Sequence, residues 1–267
     1  MTMLLSALYR YPLKSGRAEA LSQNQLEERG LPQDREWMIA NAAGVQITAR
    51  TEPRIVLICA EVTPDGLWLK APGMADLFVA LAQFNELHQA DVWETEFLAR
   101  RGAVDADAWL SAYLNQSVHL MWLGLEPHRR LKNHPDVAIS FVDTYPLLII
   151  GEGSLQALNA RVGRELAMLR FRPNLVIANS APFAEDTWQR IRIGEVEIEL
   201  SKPCERCLMT TLDPDTAERS RDSEPLRSLA QFRKMGAAVV FGQNARVVQG
   251  GALQLGLPVA VLSHKNG

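Results

Sequence analysis

Residues 191–200 alternate with period two: Ile191 and Ile193 precede Gly194-Glu195, and Val196, Ile198 and Leu200 follow it. Alternation of this kind gives each strand one apolar face, so the segment predicts a hairpin with one side buried. The second strand runs directly into Lys202-Pro203-Cys204-Glu205-Arg206-Cys207-Leu208-Met209-Thr210-Thr211-Leu212-Asp213-Pro214-Asp215-Thr216, which holds two of the three cysteines. Pro203 sets an extended or turn-like entry, and Thr-Thr-Leu-Asp-Pro reads as strand followed by turn. The pattern predicts a thiol presented on a loop. Arg206 is the fixed charge beside it, and a positive neighbour lowers the cost of a thiolate.

The chain ahead of this hairpin reads mostly as short strands separated by turns. Trp37-Met38-Ile39-Ala40 and Ile55 to Cys59 are strand-like, and Leu67-Trp68-Leu69 follows a Pro64-Asp65-Gly66 turn. Asp107 to Leu114 breaks the pattern. Trp109, Leu110, Tyr113 and Leu114 recur at helical spacing behind Asp105 or Asp107 as cap, which predicts a helix closing the first region. Gly124 to Pro135, with His128, Arg129, Arg130 and Lys132, reads as a basic surface loop. Leu147 to Ile150 reads as a strand, and a helix follows with Leu155, Leu158 and Val162 on one face and Gly163 as its stop. Residues 239–262 are again strand-rich. The expected class is mainly β with helices (α+β): an N-terminal β-rich region, 1–117, and a C-terminal β-barrel decorated by helices, 118–267.

Bulk properties narrow the function. A chain of 267 residues, 47% hydrophobic, has ample material for one large or two ordinary cores. A net charge of −3 argues against nucleic acid as an electrostatic partner. No run approaches the roughly 18 apolar residues that span a bilayer, and the apolar start, interrupted by Arg10 and Lys14, reads as a first strand rather than a signal peptide. Three cysteines suit a reducing compartment. The expectation is a cytoplasmic protein without membrane association.

Several chemistries compete at the cysteine pair. Cys204 and Cys207 are half of a zinc site, but Cys59 lies in an apolar run and the five histidines lack ligand spacing. A redox pair of the thioredoxin kind needs a helix start that Thr210-Thr211 does not predict. Inert structural cysteines are the third possibility. Ile149-Ile150-Gly151-Glu152-Gly153-Ser154 imitates a dinucleotide fingerprint, yet Gln156 stands at its third glycine and no acidic residue follows at the ribose distance. Those glycines are read as a strand-to-helix turn. Lys14, Arg35, Arg50, Arg172 and Arg206, with hydroxyls at Ser15 and Thr144, suit an anionic ligand, since arginine forks bind phosphate bidentately.

The cysteine stretch resembles the motif of the MOSC superfamily, the molybdenum-cofactor sulfurase C-terminal domain proteins. It is most similar to the branch of the mitochondrial amidoxime-reducing component and its bacterial relatives. Tyr11-Pro12-Leu13-Lys14-Ser15, Asp34-Arg35-Glu36-Trp37, Thr48 to Arg54, Asp143-Thr144-Tyr145-Pro146, Phe171-Arg172-Pro173-Asn174 and Phe241-Gly242-Gln243 resemble the branch's other motifs, in order along nearly the whole chain. The resemblance implies an N-terminal MOSC-associated domain and a MOSC barrel that bind the molybdenum cofactor, a pterin carrying a phosphate and a dithiolene. By residue, it implies that Cys207 is the molybdenum ligand and the catalytic position, a soft thiolate being suited to that metal. It implies that Lys14, Ser15, Arg35, Asp143, Thr144, Arg172, Asn174, Glu205 and Arg206 line the pterin or its phosphate, and that Cys204 is not a ligand. Asn244 stands where eukaryotic relatives carry an aromatic, and Glu205 replaces a small polar residue; both departures bear on substrate access.

The activity implied is reduction of N-hydroxylated compounds, N–OH to N–H and water, with molybdenum accepting the oxygen. Some bacterial relatives carry a ferredoxin domain that needs four cysteines. With three in this chain, electrons are expected from a separate flavoprotein reductase or ferredoxin-like protein. The alternative is a non-catalytic carrier of cofactor or sulfur. Asp213 and Asp215 are candidate proton donors, although their Pro-Asp setting suits a turn.

Overall fold

A computed structural model describes residues 2–265. Strands hold 42% of the chain and helices 18%, so helices decorate sheets, as the expected mainly β class requires. The hairpin is present: Trp188–Ile193 pairs antiparallel with Val196–Glu205, placing Ile191 opposite Ile198 and Ile193 opposite Val196. All four side chains are fully buried. At about 1.5–3 kcal/mol for each fully buried aliphatic side chain, this face is a large part of what anchors the cysteine loop behind it.

Val196–Glu205 also pairs along Ala238–Gln249, which continues to Leu147–Gly151. Leu147–Gly151 runs parallel to Leu175–Ala178, with helix α2 (Glu152–Val162) between them in sequence. Leu175–Ala178 then takes in Leu4–Arg10 from the beginning of the chain. Backbone bonds from Leu5 N to Leu257 O and from Val259 N to Met3 O join that first strand to the entry of Val259–His264, beyond the hairpin. Leu5, Leu8, Ile149, Ile177, Ile191, Ile198 and Ala245 pack in the apolar cluster on this sheet.

The first half builds two smaller sheets. One orders Trp37–Ala40, His119–Trp122, Glu96–Arg101 and Glu86–Asp91; the other orders Cys59–Thr63, Gly66–Lys70 and Leu77–Ala80. The two halves are interlocked: Leu4–Arg10 lies in the long sheet, and Leu212 of the second half packs in the core of the first.

Helix α1 covers Val104–Leu114 and starts three residues earlier than the spacing predicts. Neither aspartate caps it; Asp107 instead accepts from Leu120 N at 2.7 Å and contacts His119 Nδ1 at 2.7 Å, pinning α1 to the neighbouring strand. Residues 55–59 also differ. Pro53 at a first-turn position and Glu52 accepting from Arg54 N start a 3₁₀ turn over Pro53–Leu57, and the strand begins only at Cys59. The basic stretch is not a plain surface loop either. Arg130–Leu131 pairs with His134–Ala138, and Arg129 is buried, donating to the carbonyls of Ser140 (2.8 Å) and Val142.

The glycine-rich turn before α2 is there for packing. A Cβ on Gly153 would stand 2.2 Å from Ser180 O, so only glycine lets α2 approach the following loop. Gly163 ends α2 with φ 78°, the left-handed cap expected of it. A third α-helix among the described residues, α3, covers Leu226–Phe232. No helix among the described residues is long and apolar enough to cross a membrane, which says nothing of strands.

Candidate functional site

All ten site residues expected from sequence line one cavity of about 480 Å³. Segments distant in sequence supply its walls. Strand Leu4–Arg10 ends in a turn that carries Lys14 and Ser15, closed by Gly16 N to Leu13 O at 2.9 Å. Arg35 enters with its N–H on Tyr11 O and its carbonyl accepting from Phe141 N, two residues before Asp143. Arg172 ends the 3₁₀ turn Met168–Phe171, and Asn174 leads into Leu175–Ala178. Glu205, Arg206 and Cys207 sit where the long hairpin strand ends.

Three of these residues are non-glycines in the left-handed region: Ser15 (φ 66°), Arg35 (φ 52°) and Arg172 (φ 55°). Such conformations cost about 1–3 kcal/mol each and persist where surrounding contacts over-determine them. Here the ring of Tyr11 does much of that. The Arg35 and Arg172 guanidinium carbons lie 4.3 and 4.1 Å from its centroid, and its hydroxyl donates to Pro173 O at 2.9 Å. Asn174 is buried and fully engaged, accepting from Arg35 Nη1 (3.1 Å) and Leu148 N (3.2 Å) and donating to Tyr9 O (3.2 Å). It positions Arg35.

The charge beside the thiol is not Arg206. That guanidinium donates to Phe241 O (2.7 and 2.5 Å) and Phe171 O (3.0 Å), pinning the loop to two neighbouring segments. The group on Cys207 is Arg50, whose Nε–H meets Sγ at 3.1 Å and whose Nη2 donates to Asp143 Oδ2 at 3.0 Å. Asp143 also accepts at Oδ1 from Lys14 Nζ (2.5 Å) and Trp93 Nε1 (2.9 Å). Burial lowers the Lys14 pKa to about 8 against the pull of Asp143. Burial alone would raise the Asp143 carboxyl, but Lys14 and Arg50 outweigh it and hold it well below the usual range. Burial brings Arg172 down to about 10. It pushes the Cys204 thiol up, with Arg206 opposing. Thr144 and Glu205 are exposed at the rim.

Cys207 precedes a 3₁₀ turn, Leu208–Thr211, where strand was expected. The two threonine hydroxyls explain it, donating back to Cys207 O (3.0 Å) and Leu208 O (2.7 Å) and so competing with an extended backbone. Asp213 accepts from Arg170 Nη2 (2.6 Å) and from the backbone of Asp215 and Thr216, the turn role its setting suits. Asp215 pairs with Arg17 at 2.6 Å.

Sequence reasoning grouped Arg50 with the basic residues but did not place it among the site residues, and it missed Trp93, Arg170 and Lys202, which line the same cavity. Counting these, Lys14, Arg35, Arg50, Arg170, Arg172, Lys202 and Arg206 face only Asp143 and Glu205 as acids. Arg172 Nη2 and Arg170 Nε are buried without a hydrogen-bond partner among the described residues. Seven cations against two acids along one wall suit an anion as the occupant.

Fold and site together define a β-rich protein with a thiol at the wall of a cationic, anion-binding cavity. Family comparison agrees: residues 2–117 match the MOSC N-terminal beta barrel domain and residues 136–260 the MOSC domain. Among curated proteins, the chain is 34% identical to mitochondrial amidoxime-reducing component 1 of Mus musculus, over 97% of this chain and 82% of that one. It is 32% identical to the Homo sapiens protein of that name at the same coverage, and 31% identical to the Danio rerio one over 98% and 85%. The chain belongs to the MOSC-domain family, in the branch of the mitochondrial amidoxime-reducing components.

Proposed function

We propose that the protein binds the molybdenum cofactor and reduces N-hydroxylated compounds with electrons from a separate donor protein. The observation that carries this is the Arg50–Cys207 contact at the wall of a cavity lined by seven cations. No group of three or more His, Cys, Asp or Glu among the described residues is arranged to hold a metal ion. A metal on Cys207 must therefore bring most of its own ligands, as a dithiolene-bound metal does. The excess of cations along the cavity suits its phosphate, so the residues present fit the group. The relatives' name, amidoxime-reducing component, supports the reaction class.

Cys207 would ligate the metal, and Lys14, Ser15, Arg35, Thr144 and Arg172 would hold the pterin and phosphate. When bound, the cofactor supplies two electrons and the acceptor for the substrate oxygen. The chain's own part is positional. Asp143 fixes Lys14 and Arg50 as one charged unit beside the thiol, and Asn174 with Tyr11 fixes Arg35 and Arg172. Overall, N–OH, two electrons and two protons give N–H and water. The cytoplasm is the proposed compartment, in keeping with three free thiols.

The test uses protein made in a cofactor-competent host, offered an amidoxime with reduced viologen, with NADPH plus a flavoprotein reductase, or with NADPH alone. Turnover is expected with the first two and not the third. Turnover with NADPH alone contradicts the need for a donor protein. Bound molybdenum with no turnover from any donor would make the protein a carrier.

A further inference from the structure

Trp93 occupies a position that stereochemistry opposes. It and Glu94 are the central residues of the turn between Glu86–Asp91 and Glu96–Arg101, closed by Val92 N to Thr95 O (3.1 Å) and Thr95 N to Val92 O (3.3 Å). Both have positive φ, 56° and 60°. Two-residue turns of this kind favour Asn-Gly or Asp-Gly, and a bulky residue there is an outlier. The outlier is held from outside the turn: the indole N–H donates to Asp143 Oδ1 at 2.9 Å, and Arg50 lies 4.5 Å from the ring centroid. The strained turn thus places a large ring on the cavity wall, where it remains 49% exposed.

We propose that Trp93 is a specificity-determining residue: a fixed aromatic platform at the cavity that favours planar, conjugated substrates over saturated ones of equal size. Arg50 and Asp143 hold the ring in place, and its exposed surface is available to a flat partner. An offset or edge-on contact with a second π-system adds to what area burial alone gives, whereas a puckered ring gains only the area. The inference rests on the proposed reduction for its substrate head group and on the geometry of Trp93 for the rest of the molecule.

The test compares a phenyl amidoxime with its cyclohexyl counterpart on cofactor-loaded full chain. Binding is measured by calorimetry, and turnover with reduced viologen. Wild type should bind the phenyl compound about two- to tenfold more tightly. Trp93→Phe should keep most of that ratio, and Trp93→Leu should bring it to about one. The ratio of kcat/KM values should follow, because a merely structural role for Trp93 would lower both compounds equally. No preference in wild type, or an unchanged ratio in Trp93→Leu, overturns the proposal. So does a loss that affects both compounds equally and only with a protein donor, which would make Trp93 a docking residue. If loaded protein turns over neither compound, the reductase reading fails while the binding ratio still decides the role of Trp93.

Discussion

Arg50 donates its Nε–H to the Cys207 sulfur at 3.1 Å although 157 residues separate the two in the chain. This contact ties the first half of the protein to the cysteine loop and puts a fixed charge where a thiolate is wanted.

Arg50→Ala is therefore expected to slow alkylation of Cys207 at neutral pH. About fivefold is the expectation, the size of a roughly 1 kcal/mol contact in a partly exposed pair. Arg206→Lys should leave that rate within twofold but lower Tm, since Arg206 serves the carbonyls of Phe241 and Phe171. Iodoacetamide kinetics in a Cys59→Ser, Cys204→Ser background separate the two. Equal slowing in both variants would return Arg206 to the thiol.

Tyr11 supports two cavity arginines through its ring and one loop through its hydroxyl. Tyr11→Phe should cost about 1 kcal/mol of stability, the price of leaving Pro173 O unpaired, and keep cofactor occupancy. Tyr11→Leu removes the platform, worth about 0.5–2 kcal/mol per guanidinium, and should lower occupancy as well. Pterin fluorescence after denaturation reads occupancy; equal values in the two variants contradict the platform.

Lys14→Ala and Arg172→Ala each delete a charge-assisted contact worth about 1.5–3 kcal/mol to a bound anion. Both should lower occupancy, whereas Arg221→Ala, on the exposed surface, should leave it unchanged and stability within about 0.5 kcal/mol. Wild-type occupancy in both cavity variants would refute the cradle.

Asp143 predicts the acid limb of stability. Its folded pKa is depressed, so its contribution is present above the ordinary carboxylate value, about 3.9, and is lost progressively as pH falls through and below it. Lys14 acts at the other end. With a folded pKa of about 8, the native state binds fewer protons than the unfolded one up to about 10.4, so this group makes stability rise with pH across that window. Asp143→Asn should be less stable at pH 7 and flatter below about pH 5 in urea titrations. An acid limb as steep as wild type would show that other carboxylates dominate.

Much of the fold was legible because period-two alternation reports burial directly, as at Ile191–Leu200, and because Gly163 has one economical use after a helix. The ten expected site residues converge on one cavity because the motifs carrying them lie where strands end. What escaped depends on contacts distant in sequence. Arg206 stands next to Cys207 along the chain yet points to carbonyls, while Arg50 reaches the thiol from a turn in the first half of the chain. Trp93 carries no local signal beyond an aromatic in a turn, and the left-handed backbones of Ser15, Arg35 and Arg172 have no glycine to announce them. Ile55 and Val56 are buried in a 3₁₀ turn as an apolar strand would bury them, so hydrophobicity alone could not separate the two.

The most direct measurement is the molybdenum content of Cys207→Ser and Cys204→Ser, purified from a cofactor-competent host beside wild type. Both thiols line the cavity, but Arg50 sits on the Cys207 sulfur, whereas burial pushes the Cys204 thiol up. Cys207→Ser is expected to lose bound molybdenum and Cys204→Ser to keep most of it. Equal loss in both variants, or full molybdenum in Cys207→Ser, would contradict this expectation.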